Sequence, residues 1–319
     1  MRWGIAGYGD IVRRRALPAL LSLSETVACV WGRDFDRARS LCDEYGIASA
    51  TSDFTALLNS VDAVYVATPV VAHAPLAAAA LRAGRHVLIE KPVRGALAPA
   101  ATLPAAGDLR AGVAYYRRLA PAFLRLRELL GRRRVDRVAV SFRGAFDPAP
   151  DDPKYWRTDP ALAGGGVLAD AGSHRIDLLC RLLGEPGSVS ATTARHFPQG
   201  AERSARMRLE WPSGTVADLE FAWDDTPARD HLSLSFDGGH LTLDPLDSGH
   251  ITGTVDAAPV DTCLPPNENP HLPLMADFAD SVRNMTEPVC PVEDALAVDR
   301  LIADAYTAAS TQPVRRPNE

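Results

Sequence analysis

A strand, a glycine turn and a helix follow one another within the first twenty-one residues, and few folds accept that order. Arg2-Trp3-Gly4-Ile5-Ala6 reads as a short buried strand. Gly7-Tyr8-Gly9-Asp10-Ile11-Val12 turns out of it, and Leu17, Leu20 and Leu21 then recur with helical spacing. Gly7 permits a tight turn. Gly9 lets backbone approach a pyrophosphate, whose charge suits the N–H groups at the helix start. Val12 stands where the third glycine of a dinucleotide fingerprint would fall, so the pattern is incomplete. A plain strand–helix turn leaves a similar trace, and the context must decide.

The next units supply that context. Thr26-Val27-Ala28-Cys29-Val30-Trp31 is a second strand, ending in Gly32-Arg33-Asp34. At this distance NAD-binding folds carry an acid for the ribose hydroxyls, and NADP-binding folds an arginine for the 2′-phosphate. Gly32 takes the acid's place and Arg33 follows, which favours NADP; Asp34 leaves NAD open. Residues 62–69 are almost continuously apolar, as parallel strands buried on both faces are. A helical pattern over 73–83, closed by Gly84, leads to His86-Val87-Leu88-Ile89. This alternation predicts a doubly wound parallel sheet over residues 1–118. Its ligands would lie beyond the carboxyl ends of the strands.

Lysine usage points to one such end. The chain has 34 basic residues, yet only Lys91 and Lys154 are lysines. Arginine stays protonated, whereas a partly buried lysine can move a proton. Lys91 lies in Glu90-Lys91-Pro92, directly after the apolar run His86-Val87-Leu88-Ile89.

The second half changes character. Strand-like runs at 135–146, 188–197, 205–211, 215–223 and 231–236 are separated by Pro, Gly and Asp. They predict an open, mostly antiparallel sheet over 119–319. Between the first two runs lie Gly164-Gly165-Gly166 and then Asp170 and His174. Ile176, Leu179, Leu182 and Leu183 carry a helix that ends at Gly184. If the helix already holds at Asp170, its carboxylate and the His174 imidazole stand one turn apart. A carboxylate beside an imidazole orients it and raises its basicity, as a proton-transferring histidine requires. The three glycines suggest backbone packed close to a ligand.

These stretches together resemble the Gfo/Idh/MocA family of NAD(P)-dependent oxidoreductases. The resemblance rests on the Gly7/Gly9 turn, Ala67-Thr68-Pro69 with His73, Glu90-Lys91-Pro92, Tyr116-Arg117-Arg118, Trp156-Arg157, and Gly164 through Asp177. Asn269-Pro270-His271, ahead of the last helices, belongs to it too. It implies an N-terminal Rossmann domain over 1–118 and a substrate-binding and oligomerisation domain over 119–319. A helix over 293–309 is expected to pack back on the first domain. It implies Lys91, Asp170 and His174 as the catalytic set. His174 would exchange the substrate hydroxyl proton, Asp170 orient it, and Lys91 polarise the oxygen. Gly7, Gly9, Asp10, Ile11, Arg33, Thr68, Pro69, His73, Glu90 and Lys91 would hold the cofactor, NADP in preference to NAD. Tyr116, Arg118, Trp156 and Arg157 would join the catalytic set around a small carbohydrate-like substrate. The implied reaction moves a hydride at a secondary alcohol or ketone carbon of a sugar, nucleotide-sugar or cyclitol. The same fold also serves redox-neutral glycoside hydrolases and catalytically inactive cofactor sensors. The implied assembly is a homodimer or homotetramer. The segment after Lys91 departs from the pattern: it is short and carries Pro99 and Pro104, which a full helix would tolerate poorly.

Composition fits. At 319 residues two domains are expected. A net charge of −6 gives no reason to expect nucleic acid; the runs Arg13-Arg14-Arg15 and Arg132-Arg133-Arg134 suit solvated faces better. Five scattered cysteines point to a reducing cytoplasm, and metal-ligand spacing is lacking. No apolar run of about twenty residues suggests a membrane span.

Overall fold

The computed structural model describes residues 1–96, 103–224 and 226–311. Pro99 lies outside the described residues; Pro104 lies in irregular chain. Two compact units emerge. The first holds Met1–Arg94, the segment up to Ala120, and Asn267–Leu296. The second holds Gly95, Ala96, Pro121–Pro266 and the chain from Ala297.

The helices are α1 (Leu17–Ser22), α2 (Phe35–Tyr45), α3 (Phe54–Ser60), α4 (His73–Arg82), α5 (Pro121–Leu130), α6 (Pro160–Ala163), α7 (Ser173–Leu183), α8 (His271–Asn284) and α9 (Val292–Thr311). In the first unit, β1 (Arg2–Ala6), β2 (Thr26–Trp31), β3 (Ser49–Thr51), β4 (Ala63–Val66), β5 (His86–Ile89) and β6 (Ala111–Val113) form a sheet of order β3-β2-β1-β4-β5-β6. All its pairings are parallel. This is the expected doubly wound sheet, and its order reverses between β1 and β4. Asp34 caps α2 and Asp53 caps α3, each by accepting a backbone N–H of its own first turn. Gly84, at φ +72°, follows the end of α4.

The helix that returns to this unit is α8, where the sequence had suggested 293–309. Met275, Phe278 and Ala279 form a stripe one turn apart, and they enter the core that holds Trp3 and Leu20. The Phe278 and Trp3 rings lie 5.6 Å apart. The first residues of α9, through Leu296, belong to the first unit and the rest to the second.

The second unit contains β7 (Val135–Gly144), β8 (Ser188–His196), β9 (Glu202–Glu210), β10 (Val216–Trp223), β11 (Arg229–Phe236), β12 (Gly239–Leu243), β13 (His250–Val255) and β14 (Ala258–Cys263). Their order is β14-β13-β12-β11-β7-β10-β9-β8, and only β7 and β10 run parallel. Alternation sorts the faces: Met207, Leu209, Leu219 and Phe221 are buried, while Arg206, Arg208, Asp218 and Glu220 face solvent. On the solvent face Arg206 pairs with Glu220 and Arg208 with Asp218 across β9 and β10. Among the described residues no helix is long and apolar enough to cross a membrane.

Candidate active site

The glycine turn is built by close approach. Gly7 has φ +124°, and a Cβ there would collide with the Ala67 carbonyl at the end of β4. A Cβ on Gly9 would meet nothing within 4 Å, so space lies open in front of the turn. The helix begins at Asp10, which is exposed, and Ile11, which is half-buried. It is π-wound over Val12–Ala16 before α1, a winding that frequently marks functional sites. Val12, in place of the third glycine, is fully buried and packs into the core. Thr68, just past β4, has a buried hydroxyl with no hydrogen-bond partner among the described residues, and Pro69 follows half-buried.

At the end of β2, Gly32 lies against Tyr8, whose ring occupies the room a Cβ would need. Arg33 is exposed. The Asp34 carboxylate accepts the Arg37 N–H at 3.1 Å, so it serves the helix as a cap. The Arg37 guanidinium lies 4.8 Å from the centre of the Tyr8 ring. Sequence reasoning missed Arg37, although a cation four residues after Arg33 at a helix start is a readable signal.

Past β5, Glu90 is buried and Lys91 half-buried. Glu90 accepts the Tyr65 hydroxyl, lies 3.2 Å from His271 Nε2, and takes the Lys91 N–H at 3.3 Å. Burial pushes the Glu90 carboxyl up. The hydrogen bond and charge of His271, the Tyr65 hydroxyl and the Lys91 charge outweigh burial and hold it below its ordinary value. The sequence grouped His73 with the cofactor-facing residues. Its ring is buried, with one nitrogen 2.7 Å from the Thr68 carbonyl and the other 2.8 Å from the Pro92 carbonyl. His73 therefore ties the chain after β4 to the chain after β5. Burial lowers its pKa, and the two carbonyls and Glu90 resist that shift.

Tyr116 is half-buried in a single 3-10 turn, Tyr116–Leu119, and its ring lies 5.2 Å from that of His271. Arg118 in the same turn is 2% exposed. It donates to Asp294 at 2.7 Å and to the Val289 carbonyl at 3.0 Å. The sequence grouped Arg118 with residues around the substrate; these two bonds tie its turn to the start of α9 and to the chain before it.

In the second unit the three glycines have a reason other than the expected ligand contact. Gly164, at φ +78°, ends α6. A Cβ on Gly165 would collide with the Tyr306 hydroxyl, and one on Gly166 with the Glu202 backbone. The buried Glu202 carboxylate accepts N–H groups from Gly166 at 2.8 Å and Leu168 at 2.9 Å. The Tyr306 hydroxyl donates to it at 2.9 Å. Burial raises the Glu202 pKa, and these donors offset part of that rise. The loop so pinned opens a π-wound turn, Leu168–Gly172, that runs directly into α7. Asp170 lies in that turn, half-buried, and pairs with Arg157 at 3.3 Å. His174 is buried in the first turn of α7, four residues on. Arg157 also lies 5.6 Å from the Trp156 ring, within the 3-10 helix Tyr155–Thr158. The structure thus gathers Asp170, Arg157 and Trp156, and sets His174 on the same helical run.

The first unit suits a dinucleotide. Open space before Gly9, the N–H groups of a helix start, and the orphaned Thr68 hydroxyl fit a pyrophosphate and its neighbouring atoms.

A doubly wound sheet with this glycine turn, joined to a mostly antiparallel sheet, defines a dinucleotide-binding oxidoreductase architecture. Residues 1–106 match the model of an oxidoreductase family with an NAD-binding Rossmann fold, and residues 123–242 match the GFO/IDH/MocA C-terminal domain. D-xylose 1-dehydrogenase (NADP(+)) 2 of Haloferax volcanii is 31% identical over 98% of each chain. A dTDP-3,4-didehydro-2,6-dideoxy-alpha-D-glucose 3-reductase of Streptomyces violaceoruber is 33% identical over 76% of this chain and 72% of its own. Among solved structures, KijD10, a 3-ketoreductase from Actinomadura kijaniata in complex with NADP and TDP-benzene, superposes with a TM-score of 0.83. It is 26% identical, and the match covers 97% of both chains. The chain belongs to the Gfo/Idh/MocA family of oxidoreductases.

Proposed function

We propose that the protein is an NAD(P)-dependent oxidoreductase that interconverts a secondary alcohol and a ketone on a sugar, nucleotide-sugar or cyclitol. The observation that carries this reading is the pinned helical run holding Asp170 and His174, in a chain whose other unit presents an open glycine turn and Lys91. The sugar class is supported by the relatives, a xylose dehydrogenase and a deoxysugar reductase.

Gly9, Asp10 and Ile11 would hold the pyrophosphate through backbone N–H groups, while Gly7, whose own N–H donates to the Trp31 carbonyl at 2.9 Å, would keep the turn close to the end of β4. Thr68 and Pro69, just past β4, would line the cofactor site. Arg33, joined by Arg37, takes the 2′-phosphate, which makes NADP the preferred cofactor. The bound nicotinamide supplies the hydride donor or acceptor. His174 removes or returns the hydroxyl proton, and Asp170 orients its ring. Lys91 donates a hydrogen bond to the reacting oxygen and stabilises negative charge there. Trp156, Arg157 and Tyr116 shape the sugar site. Within the first unit, Glu90 and His73 hold the chain around Lys91, and Arg118 holds the turn that carries Tyr116. The protein works in the cytoplasm as a homodimer or homotetramer.

Incubation with a panel of sugars and nucleotide-sugars, followed at the nicotinamide absorbance, tests the reading. Net absorbance change with a member of the panel supports it. Glycoside release without net change makes the protein a redox-neutral hydrolase, and cofactor binding with no conversion across the panel overturns an enzymatic role on these substrates.

A further inference from the structure

The chemistry above leaves Asn269-Pro270-His271 without a role, yet the structure draws this motif to three parts of the first unit. Asn269 Nδ2 donates to the Arg15 carbonyl at 2.8 Å, on the helical run that follows the glycine turn. Its Oδ1 accepts the His271 N–H, at the first residue of α8, at 3.0 Å. His271, 2% exposed, carries Nε2 to 3.2 Å from Glu90 Oε1, and its ring packs on Tyr116. Glu90 in turn takes the Lys91 N–H and lies within electrostatic reach of the Lys91 ammonium. An ionised carboxylate only accepts, so His271 Nε2 bears the proton of this bond.

A buried carboxylate is stable only where donors satisfy it, and its orientation follows theirs. Among the described residues two side chains donate to Glu90: Tyr65, from the adjacent strand β4, and His271, from 181 residues away in sequence. We infer that His271 is a positioning residue for the reaction: through Glu90 it fixes where Lys91 stands, and through its ring it fixes Tyr116. The inference rests on the assignment of Lys91 to the reaction above. It gives α8 a task beyond filling the core, since the helix start delivers the donor that Glu90 needs.

Lys91 and Lys154 are the only lysines, so reductive methylation with 13C-formaldehyde yields two lysine signals, which Lys154→Arg assigns. His271→Phe keeps a ring against Tyr116 and removes the donor. It should move the Lys91 signal, leave that of Lys154 in place, and lower kcat about ten- to a hundredfold, as small misplacements of reacting groups do. His271→Gln restores an N–H near the place of Nε2 and should return both the Lys91 signal and most of kcat. Glu90→Gln, which keeps the shape and removes the charge, should displace the Lys91 signal by itself, and it carries the test if His271→Phe does not fold. An unmoved Lys91 signal in a folded His271→Phe or Glu90→Gln protein overturns the inference. So does a Gln variant as impaired as Phe. The NMR signal needs no substrate, so a wrong substrate assignment would silence kcat and still leave the inference tested.

Discussion

At the scale of single residues, replacing Lys91 separates charge from geometry. Lys91→Arg keeps a cation but fixes its proton and spreads its donors into a planar fork. The ammonium is assigned a bond to one reacting oxygen, so turnover should fall about a hundredfold or more, in the range for a positioned acid–base group. NADP affinity, measured by calorimetry, should stay within a few-fold. Turnover near wild type would remove Lys91 from the reaction. The cofactor end offers a second residue-scale prediction. Asp34 spends its carboxylate on the α2 cap, while Arg33 and Arg37 are both exposed near the end of β2. A charge-assisted bond to phosphate contributes about 1.5–3 kcal/mol. Arg33→Ala and Arg37→Ala should therefore each weaken NADP binding by roughly ten- to a hundredfold on the conversion of 1.4 kcal/mol per factor of ten, and leave NAD binding nearly unchanged. An Arg37→Ala protein with wild-type NADP affinity would return the whole preference to Arg33.

At the scale of elements, two glycines that look alike in the sequence should behave in opposite ways. Gly9 has open space where a Cβ would go, whereas at Gly166 that Cβ would strike the Glu202 backbone. Gly166→Ala should cost about 1–3 kcal/mol of stability through overpacking, seen as a lower Tm, with NADP affinity intact. Gly9→Ala should leave Tm in place and weaken NADP, because the methyl group enters the space assigned to the pyrophosphate. The reverse pattern would show that the two loops have been assigned the wrong tasks. The contrast also marks what was legible. Apolar runs such as Ala63–Val66 and leucine spacing such as that in α7 announce themselves, and five strands of the second sheet follow from period-two patterning. β12, β13 and β14 did not: β12 alternates but over only five residues, Gly253 interrupts the pattern of β13, and β14 buries none of its residues, so no apolar period marks it. The spacing of Asp170 and His174 was readable from local helical geometry. The partners of Glu90, Arg118 and Gly166 were not, since His271, Asp294 and Tyr306 lie more than 130 residues away in sequence.

At the scale of the whole chain, the first unit is discontinuous, and this predicts how it can be cut. A fragment of residues 1–118 contains the whole parallel sheet and the glycine turn, and from the sequence it reads as a complete domain. It lacks α8, whose Leu274, Met275 and Phe278 are 2% exposed or less. Fully burying an apolar side chain of this size contributes about 1.5–3 kcal/mol, so these three supply roughly 5–9 kcal/mol. A domain is stable by only about 5–15 kcal/mol in total, so the fragment should lack a cooperative thermal transition and should not retain NADP. Appending residues 267–296 through a flexible linker should restore both the transition and the binding. In the intact chain, NADP at about a hundred times its Kd should add about 2.7 kcal/mol to stability, because it binds the folded state and not the unfolded one. A 1–118 fragment that melts cooperatively and binds NADP as the intact chain does would show that α8 is dispensable to the unit it joins.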